Sequence, residues 1–329
     1  MKTAFFSTKS YDREYFDRFN TTGHELTYFD VSLNKNSVAL SQGHDAVCLF
    51  VNDKANAAVI EQLAANGTRI IALRCAGFNN VDLAATAANN IKVVRVPAYS
   101  PEAVAEHAVA LILTLNRKIH KAYNRVRDSN FSLENLLGFN LHGKTVGVIG
   151  TGIIGRCFCR IMLGFGCRIL AHDLYPSEEM IKAGVVYTTL DTVWQESDII
   201  SLHCPLLPET KHLVNKDSFA KMKKGVMLIN TSRGAVINTA DAVEALKKEQ
   251  LGYLGIDVYE QEEKLFFKDL SGSIMQDDVI ARLTSFPNVL ITSHQGFFTK
   301  EALEQIALVT LKNLSDFESG LPLENEVKG

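Results

Sequence analysis

Residues 145–176 read TVGVIGTGIIGRCFCRIMLGFGCRILAHDLYP, and this stretch decides the fold. The apolar run Val146, Val148 and Ile149 has the character of a short buried strand, and Gly150, Gly152 and Gly155 follow it directly. Ile154, Phe158, Ile161, Met162 and Phe165 then recur at helical spacing, so a helix opens inside the glycine run. Bare backbone N–H groups and the positive end of a helix dipole thereby stand where a pyrophosphate can rest, while Gly155 lets the helix pack close to the strand. A second strand, Arg168 to His172, ends in Asp173, 18 residues past Gly155, the place at which a dinucleotide fold carries its ribose-binding acid. Glycine spacing alone is a weak signal, because tight strand-to-helix turns use glycine for backbone reasons. The position of Asp173 makes it specific.

The chain around this stretch has 329 residues, enough for two domains with separate cores. Its net charge is −3 with 22% charged residues, and no stripe of Lys or Arg points to nucleic acid or an acidic membrane as a partner. The opening MKTAFFSTKSYD has too short an apolar stretch for a signal peptide, and no run has the length to span a bilayer, so a cytoplasmic protein is expected. Six cysteines (Cys48, Cys75, Cys157, Cys159, Cys167, Cys204) lie mostly in apolar segments without C-x-x-C pairing. They read as reduced core residues, and no metal site is expected.

The first hundred residues alternate short strands (TAFFST, ELTYFD, AVCLFV, RIIALRC, IKVVRV) with the helical stretches NAAVIEQLAANG and VDLAATAANN, a parallel-sheet rhythm without a phosphate loop of its own. Next, Ser100, Pro101 and Glu102 begin a helix as cap, first position and first-turn acid. From Ala108 to Leu115 it is apolar nearly all round, which predicts packing both on its own domain and on a second subunit, hence a homo-oligomer built on a dimer. A second alternating series starts at Lys144, with strands ending at Gly150, His172, His203, Asn230, Val258 and Thr292. The final TKEALEQIALVTLKNLSDFESG has the spacing of one amphipathic helix, and its pattern does not say which domain it joins.

In a doubly wound sheet, ligands bind beyond the carboxyl ends of the strands. There MLINTSRG delivers Arg233, GIDVYEQEE delivers Asp257 and the acids Glu260, Glu262 and Glu263, VLITSHQG delivers His294, and ISLHCP brings His203, Cys204 and Pro205 to the rim. Singly, each is an ordinary strand-end residue. Together, an arginine, an acid and a histidine supply what hydride transfer to a 2-keto acid requires. A guanidinium holds the substrate carboxylate by a bidentate fork, and a histidine protonates the carbonyl oxygen as hydride arrives. A neighbouring carboxylate orients the histidine and favours its charged form. The residues themselves leave open which of the three glutamates does this.

RCAGFNNVDL, VPAYSPEAVAEHA, VGVIGTGIIG, SLHCPL, NTSRG, DVYEQE and SHQGF occur in that order. In this combination the chain closely resembles, over essentially its full length, the D-lactate dehydrogenase branch of the D-isomer-specific 2-hydroxyacid dehydrogenase family. The resemblance implies an NAD-binding Rossmann domain, residues 99–296, inserted into a flavodoxin-like substrate domain, residues 1–98 with 297–329, both doubly wound parallel sheets. It makes Arg233 the substrate-binding arginine, Glu262 the acid paired with histidine and His294 the acid/base, with spacings of 29 and 32 residues that fit the family. It also implies cofactor contacts from Gly150, Gly152, Ile153, Ile154, Gly155, Asp173, His203, Cys204, Pro205, Thr231 and Asp257. Ala76 and Gly77 are implied to take the substrate carboxylate through backbone N–H groups, and Phe50, Tyr99 and Phe297 to surround the substrate side chain. The glycine motif begins only at Gly150, not near the N-terminus as in the unrelated L-lactate enzymes, an order that favours D stereochemistry. Gly296 stands where relatives usually have alanine.

The expected activity is NADH-dependent reduction of pyruvate to D-lactate. Two alternatives are a dehydrogenase for a bulkier 2-keto acid or hydroxypyruvate, and an NAD(H)-sensing scaffold with the same three residues. Against the scaffold, no long polar extension follows the last helical stretch.

Overall fold

The computed structural model describes residues 1–328 and divides into two compact units, Met1–Ser100 with the chain from Phe298 onward, and Pro101–Phe297. In the first unit, β1 (Lys2–Phe5), β2 (Glu25–Tyr28), β3 (Ala46–Leu49), β4 (Ile70–Leu73) and β5 (Lys92–Arg95) form a parallel sheet in the order β2-β1-β3-β4-β5. This is the flavodoxin-like order. Every residue of β3 and β4 is buried, which is why these strands are written as unbroken apolar runs rather than alternating ones. The helices Ala57–Ala65 and Leu83–Ala88 fall where the periodicity predicts them.

A third helix, Ser10–Phe19, is not evident from the sequence, because SYDREYFDRF buries only Asp12 and Phe16. The C-terminal helix, Lys300–Glu318, joins this unit and seats Leu314 among Ala46, Ile70, Ala72 and Val94. Beyond it the chain returns to the sheet edge, where the Val327 N–H donates to the Val93 carbonyl at 2.8 Å.

In the second unit, β6 (Thr145–Ile149), β7 (Arg168–His172), β8 (Val186–Tyr187), β9 (Ile199–Leu202), β10 (Val226–Asn230), β11 (Leu251–Ile256) and β12 (Val289–Ile291) are ordered β12-β11-β10-β9-β6-β7-β8. This is the doubly wound Rossmann order with one added strand, and its switch point lies between β6 and β9. The two-residue strand β8 is too short to leave a pattern in the sequence.

The helix after Ser100 also departs from expectation. It runs Pro101–Arg117, breaks at Lys118, whose φ of 50° is left-handed, and resumes as Ile119–Arg127. Most of the apolar ring that predicted a subunit contact is covered inside its own unit, although Ala110 is exposed and Leu113 half-buried. Ala108, Val109, Leu111, Ile112 and Leu115 are buried in one cluster with Phe158, Met162 and Ile229, so that ring carries no argument for a partner chain. No helix among the described residues is long and apolar enough to cross a membrane.

Candidate active site

The three glycines after β6 answer to three different demands. Gly150 has φ +91°, and a Cβ there would lie 2.7 Å from the backbone of His203 and Cys204. At Gly155 a Cβ would run into the Gly150 carbonyl oxygen, so the helix Ile153–Gly164 approaches the strand only without one. A Cβ at Gly152, the N-cap of that helix, would meet nothing within 4 Å. Two glycines are thus required by the protein itself, and the third faces open space at the positive helix end, as a site for pyrophosphate needs. Ile153 is exposed beside it, while Ile154 packs inward against the core.

Asp173, at the end of β7, is held by three donors. Thr151 gives Oδ2 its backbone N–H at 2.5 Å and its hydroxyl at 3.0 Å, and the Tyr175 N–H reaches Oδ1 at 2.9 Å. Burial acts to raise this carboxyl, but these donors and the nearby His172 outweigh it and hold the group below the usual aspartate range.

His203 and Cys204 wall the glycine turn from below. The imidazole lies tilted against Phe158, ring centres 4.9 Å apart, and bonds Ser201 Oγ through Nε2 at 2.9 Å, and burial lowers it to about 4, so it is neutral. Burial pushes the Cys204 thiol up to about 11. Pro205 is exposed. Thr231 is buried at the end of β10, and its Oγ1 has no hydrogen-bond partner among the described residues. An open glycine, a helix N-terminus, an oriented acid and an orphaned hydroxyl along the carboxyl edge of one sheet fit a dinucleotide.

Arg233 stands on the turn after β10, with Nη1 on the Ser232 carbonyl at 2.7 Å. Asn230, fully buried, builds that turn. Its Oδ1 accepts from the Ser232 N–H and hydroxyl, and its Nδ2 donates to the Arg233 carbonyl at 2.9 Å. Sequence reasoning missed this residue, although it opens the NTSRG motif.

After β12, His294 takes a left-handed φ of 51° and turns Nδ1 to Glu262 Oε1 at 3.0 Å. Glu262 Oε2 accepts the Tyr259 N–H at 3.0 Å, which fixes the carboxylate. Glu260 is engaged elsewhere, with His212 at 2.6 Å and the Thr239 hydroxyl at 2.8 Å.

The turn carrying His294 is gripped by Asp257. Its backbone carbonyl accepts the His294 N–H at 2.7 Å, and its carboxylate accepts from the Gln295 and Gly296 N–H groups at 2.9 and 2.8 Å and from Thr292 Oγ1 at 2.5 Å. His107, on the helix Pro101–Arg117, bonds Thr292 Oγ1 at 2.9 Å. A Cβ at position 296 would stand 3.0 Å from Asp257 Oδ2, so Gly296 gives that carboxylate room. His107 was also missed, since one histidine on an apolar helix carries no pattern.

Four of the expected substrate residues lie in the first unit. Phe50 is braced by buried Asp53, which takes the Phe50 N–H at 2.6 Å, the Leu33 N–H at 2.7 Å and the Ser7 hydroxyl at 2.8 Å. Arg74, at the end of β4, lies over the Phe50 ring at 5.0 Å, pairs with Asp12 at 3.3 Å and donates to the Ser7 carbonyl. Ala76 and Gly77 form the half-buried turn that follows, the Ala76 carbonyl accepting from Arg95 at 2.9 Å. Tyr99 is partly exposed near the end of this unit, and Phe297 is buried at the end of the second.

A Rossmann unit carrying an acid-paired histidine and an arginine beyond its strand ends has the equipment of a nicotinamide-dependent oxidoreductase. Residues 109–296 match the family described as D-isomer specific 2-hydroxyacid dehydrogenase, NAD binding domain. The chain is 54% identical to the D-lactate dehydrogenase of Escherichia coli (strain K12) over 99% of its own length and 100% of that protein's. Its fold matches the pyruvate reductase of Chlamydomonas reinhardtii with a TM-score of 0.94 at 45% identity, covering 99% of this chain and 98% of that one. It also matches the D-lactate dehydrogenase of Lactobacillus jensenii solved with NAD+, with a TM-score of 0.83 at 32% identity, covering 100% of both chains. The chain belongs to the D-isomer-specific 2-hydroxyacid dehydrogenase family. It is an NAD-dependent dehydrogenase.

Proposed function

We propose that the protein reduces pyruvate to D-lactate with NADH, reversibly, and that Arg233, Glu262 and His294 carry the reaction. The observation that supports this most is the His294–Glu262 pair at 3.0 Å on the carboxyl side of a Rossmann sheet. With Nδ1 on Glu262, His294 has Nε2 free to give a proton to the carbonyl oxygen, and Glu262 restrains the ring for the transfer. Arg233 holds the substrate carboxylate in a planar fork and draws charge from the carbonyl. NADH supplies the hydride. Asp173 takes a ribose hydroxyl, the open backbone at Gly152 takes the pyrophosphate, and Thr231 Oγ1 offers its unmet hydrogen bond to the cofactor. In this reading the first unit is the substrate domain, and Phe50, Ala76, Gly77 and Tyr99 are the substrate residues it contributes, the N–H groups of Ala76 and Gly77 serving a carboxylate.

The test is a panel. NADH absorbance is followed with pyruvate, a branched 2-keto acid and hydroxypyruvate, and the chirality of the product is assayed. A higher kcat/KM for pyruvate with D product supports the reading, and a preference for the branched acid or hydroxypyruvate replaces pyruvate in it. Self-association also belongs to this reading, but through a different surface from the one the sequence suggested. Ile119, Tyr123 and Val126 form one exposed stripe of the helix Ile119–Arg127, and Phe131, Leu133 and Leu137 follow it, 73–86% exposed. A continuous apolar stripe of this kind calls for cover, and we assign it to a second copy of the chain.

A further inference from the structure

The strand the sequence did not reveal, β8, ends in Tyr187, and the hydroxyl of Tyr187 stands between two loops of the dinucleotide site. The Ser177 N–H reaches it at 3.0 Å, and it lies 2.9 Å from Thr151 Oγ1. Thr151 in turn bonds Asp173 Oδ2. The direction of this chain of hydrogen bonds is fixed from both ends. A backbone N–H can only donate, so Tyr187 accepts from Ser177 and directs its own hydrogen to Thr151. An ionised carboxylate can only accept, so the Thr151 hydrogen points at Asp173. Each link polarises the next.

The consequence falls on the carboxylate. Thr151 fills both acceptor sites of Oδ2 through its N–H and its hydroxyl, and the Tyr175 N–H takes one site of Oδ1. One acceptor site, on Oδ1, is left for a ligand, and its direction is set by how firmly Oδ2 is held. We propose that Tyr187 is a positioning residue for the cofactor. It acts through Thr151 to present Asp173 Oδ1 to a single ribose hydroxyl, and so contributes to the discrimination between NADH and NADPH. A ribose hydroxyl can donate to that oxygen, whereas a 2′-phosphate brings acceptors and negative charge to it. The proposal rests on Asp173 being the ribose acid.

Affinities for NADH and NADPH are measured by fluorescence titration for the full-length protein and for Tyr187→Phe, Thr151→Val, their double variant and Asp173→Ala, with kcat and keto-acid KM at saturating NADH. Tyr187→Phe is expected to weaken NADH by about five-fold, the size of one hydrogen bond, while NADPH changes little, so the preference narrows with kcat and keto-acid KM unchanged. If Tyr187 acts through Thr151, the double variant is no weaker than the weaker single one. Equal losses for NADH and NADPH would reduce Tyr187 to a fold support, and additive losses would place its effect outside Thr151; either result overturns the proposal. Unchanged NADH affinity in Tyr187→Phe, with a narrowed preference in Asp173→Ala, overturns the Tyr187 role alone. An unchanged preference in Asp173→Ala overturns the ribose-acid reading beneath it. Should Tyr187→Phe fail to fold, Thr151→Val decides by the same comparison of NADH with NADPH.

Discussion

Glu262 and Glu260 lie two residues apart and face different histidines, His294 for the one and His212 for the other. Replacing Glu262 by Gln keeps a hydrogen-bonding group beside Nδ1 but loses the charge-assisted bond that orients His294. kcat/KM is then expected to fall in both directions by about 10-fold, the difference between a charge-assisted and a neutral hydrogen bond, with NADH affinity unchanged. Initial rates of reduction and oxidation check this. Full activity in Glu262→Gln with a loss in Glu260→Gln would assign the role to the His212 pair. At Arg233, lysine keeps the charge and loses the fork. We expect kcat/KM for the keto acid to fall by about 10- to 100-fold, the value of one or two charge-assisted bonds, with NADH affinity unchanged. Weakened NADH binding in the same variant would indicate a disturbed turn instead, because Asn230 builds that turn through the Arg233 carbonyl.

Among the elements, the two helices 101–117 and 119–127 show how an apolar pattern can mislead. The sequence places its longest apolar stretch at Ala108–Leu115, and the fold covers that stretch with the helix Ile153–Gly164 and strands β10 and β11. The exposed stripe belongs to the next helix, whose charged residues mask it in any composition window. Tyr123→Glu is therefore expected to lower the sedimenting mass while leaving thermal stability near that of the parent. Leu111→Asp places a charge in a site only 2% exposed and is expected to cost about 3 kcal/mol or more in stability. A parent protein that sediments as a monomer at assay concentration would refute the assignment of the stripe to a second copy.

At the scale of the whole molecule, the first unit is discontinuous, and the helix Lys300–Glu318 closes it from the far end of the chain. Leu314 is fully buried against β3, β4 and β5, so Leu314→Ala is expected to destabilise that unit by about 2–5 kcal/mol. The single tryptophan, Trp194, is buried in the second unit and reports on that unit alone. On heating this variant, keto-acid turnover should disappear before the Trp194 fluorescence changes, and coincident loss would mean that the units unfold together. The sequence alone determined the strands other than β8, the glycine turn, the acid after β7 and the expectation of two parallel sheets. Each is dictated by residues that are neighbours in the chain, through backbone freedom, helical or strand period and burial on both faces. It also set out the candidates Arg233, Glu262 and His294, the glutamate among them chosen by family likeness. Tertiary structure alone decided the strand order and its switch point, the strand β8 with Tyr187, the polar helix Ser10–Phe19, the covering of Ala108–Leu115, and the bracing of the site by Asn230, Asp257 and His107. These depend on contacts between residues far apart in sequence, and such contacts leave no period or spacing in the chain from which they could be read.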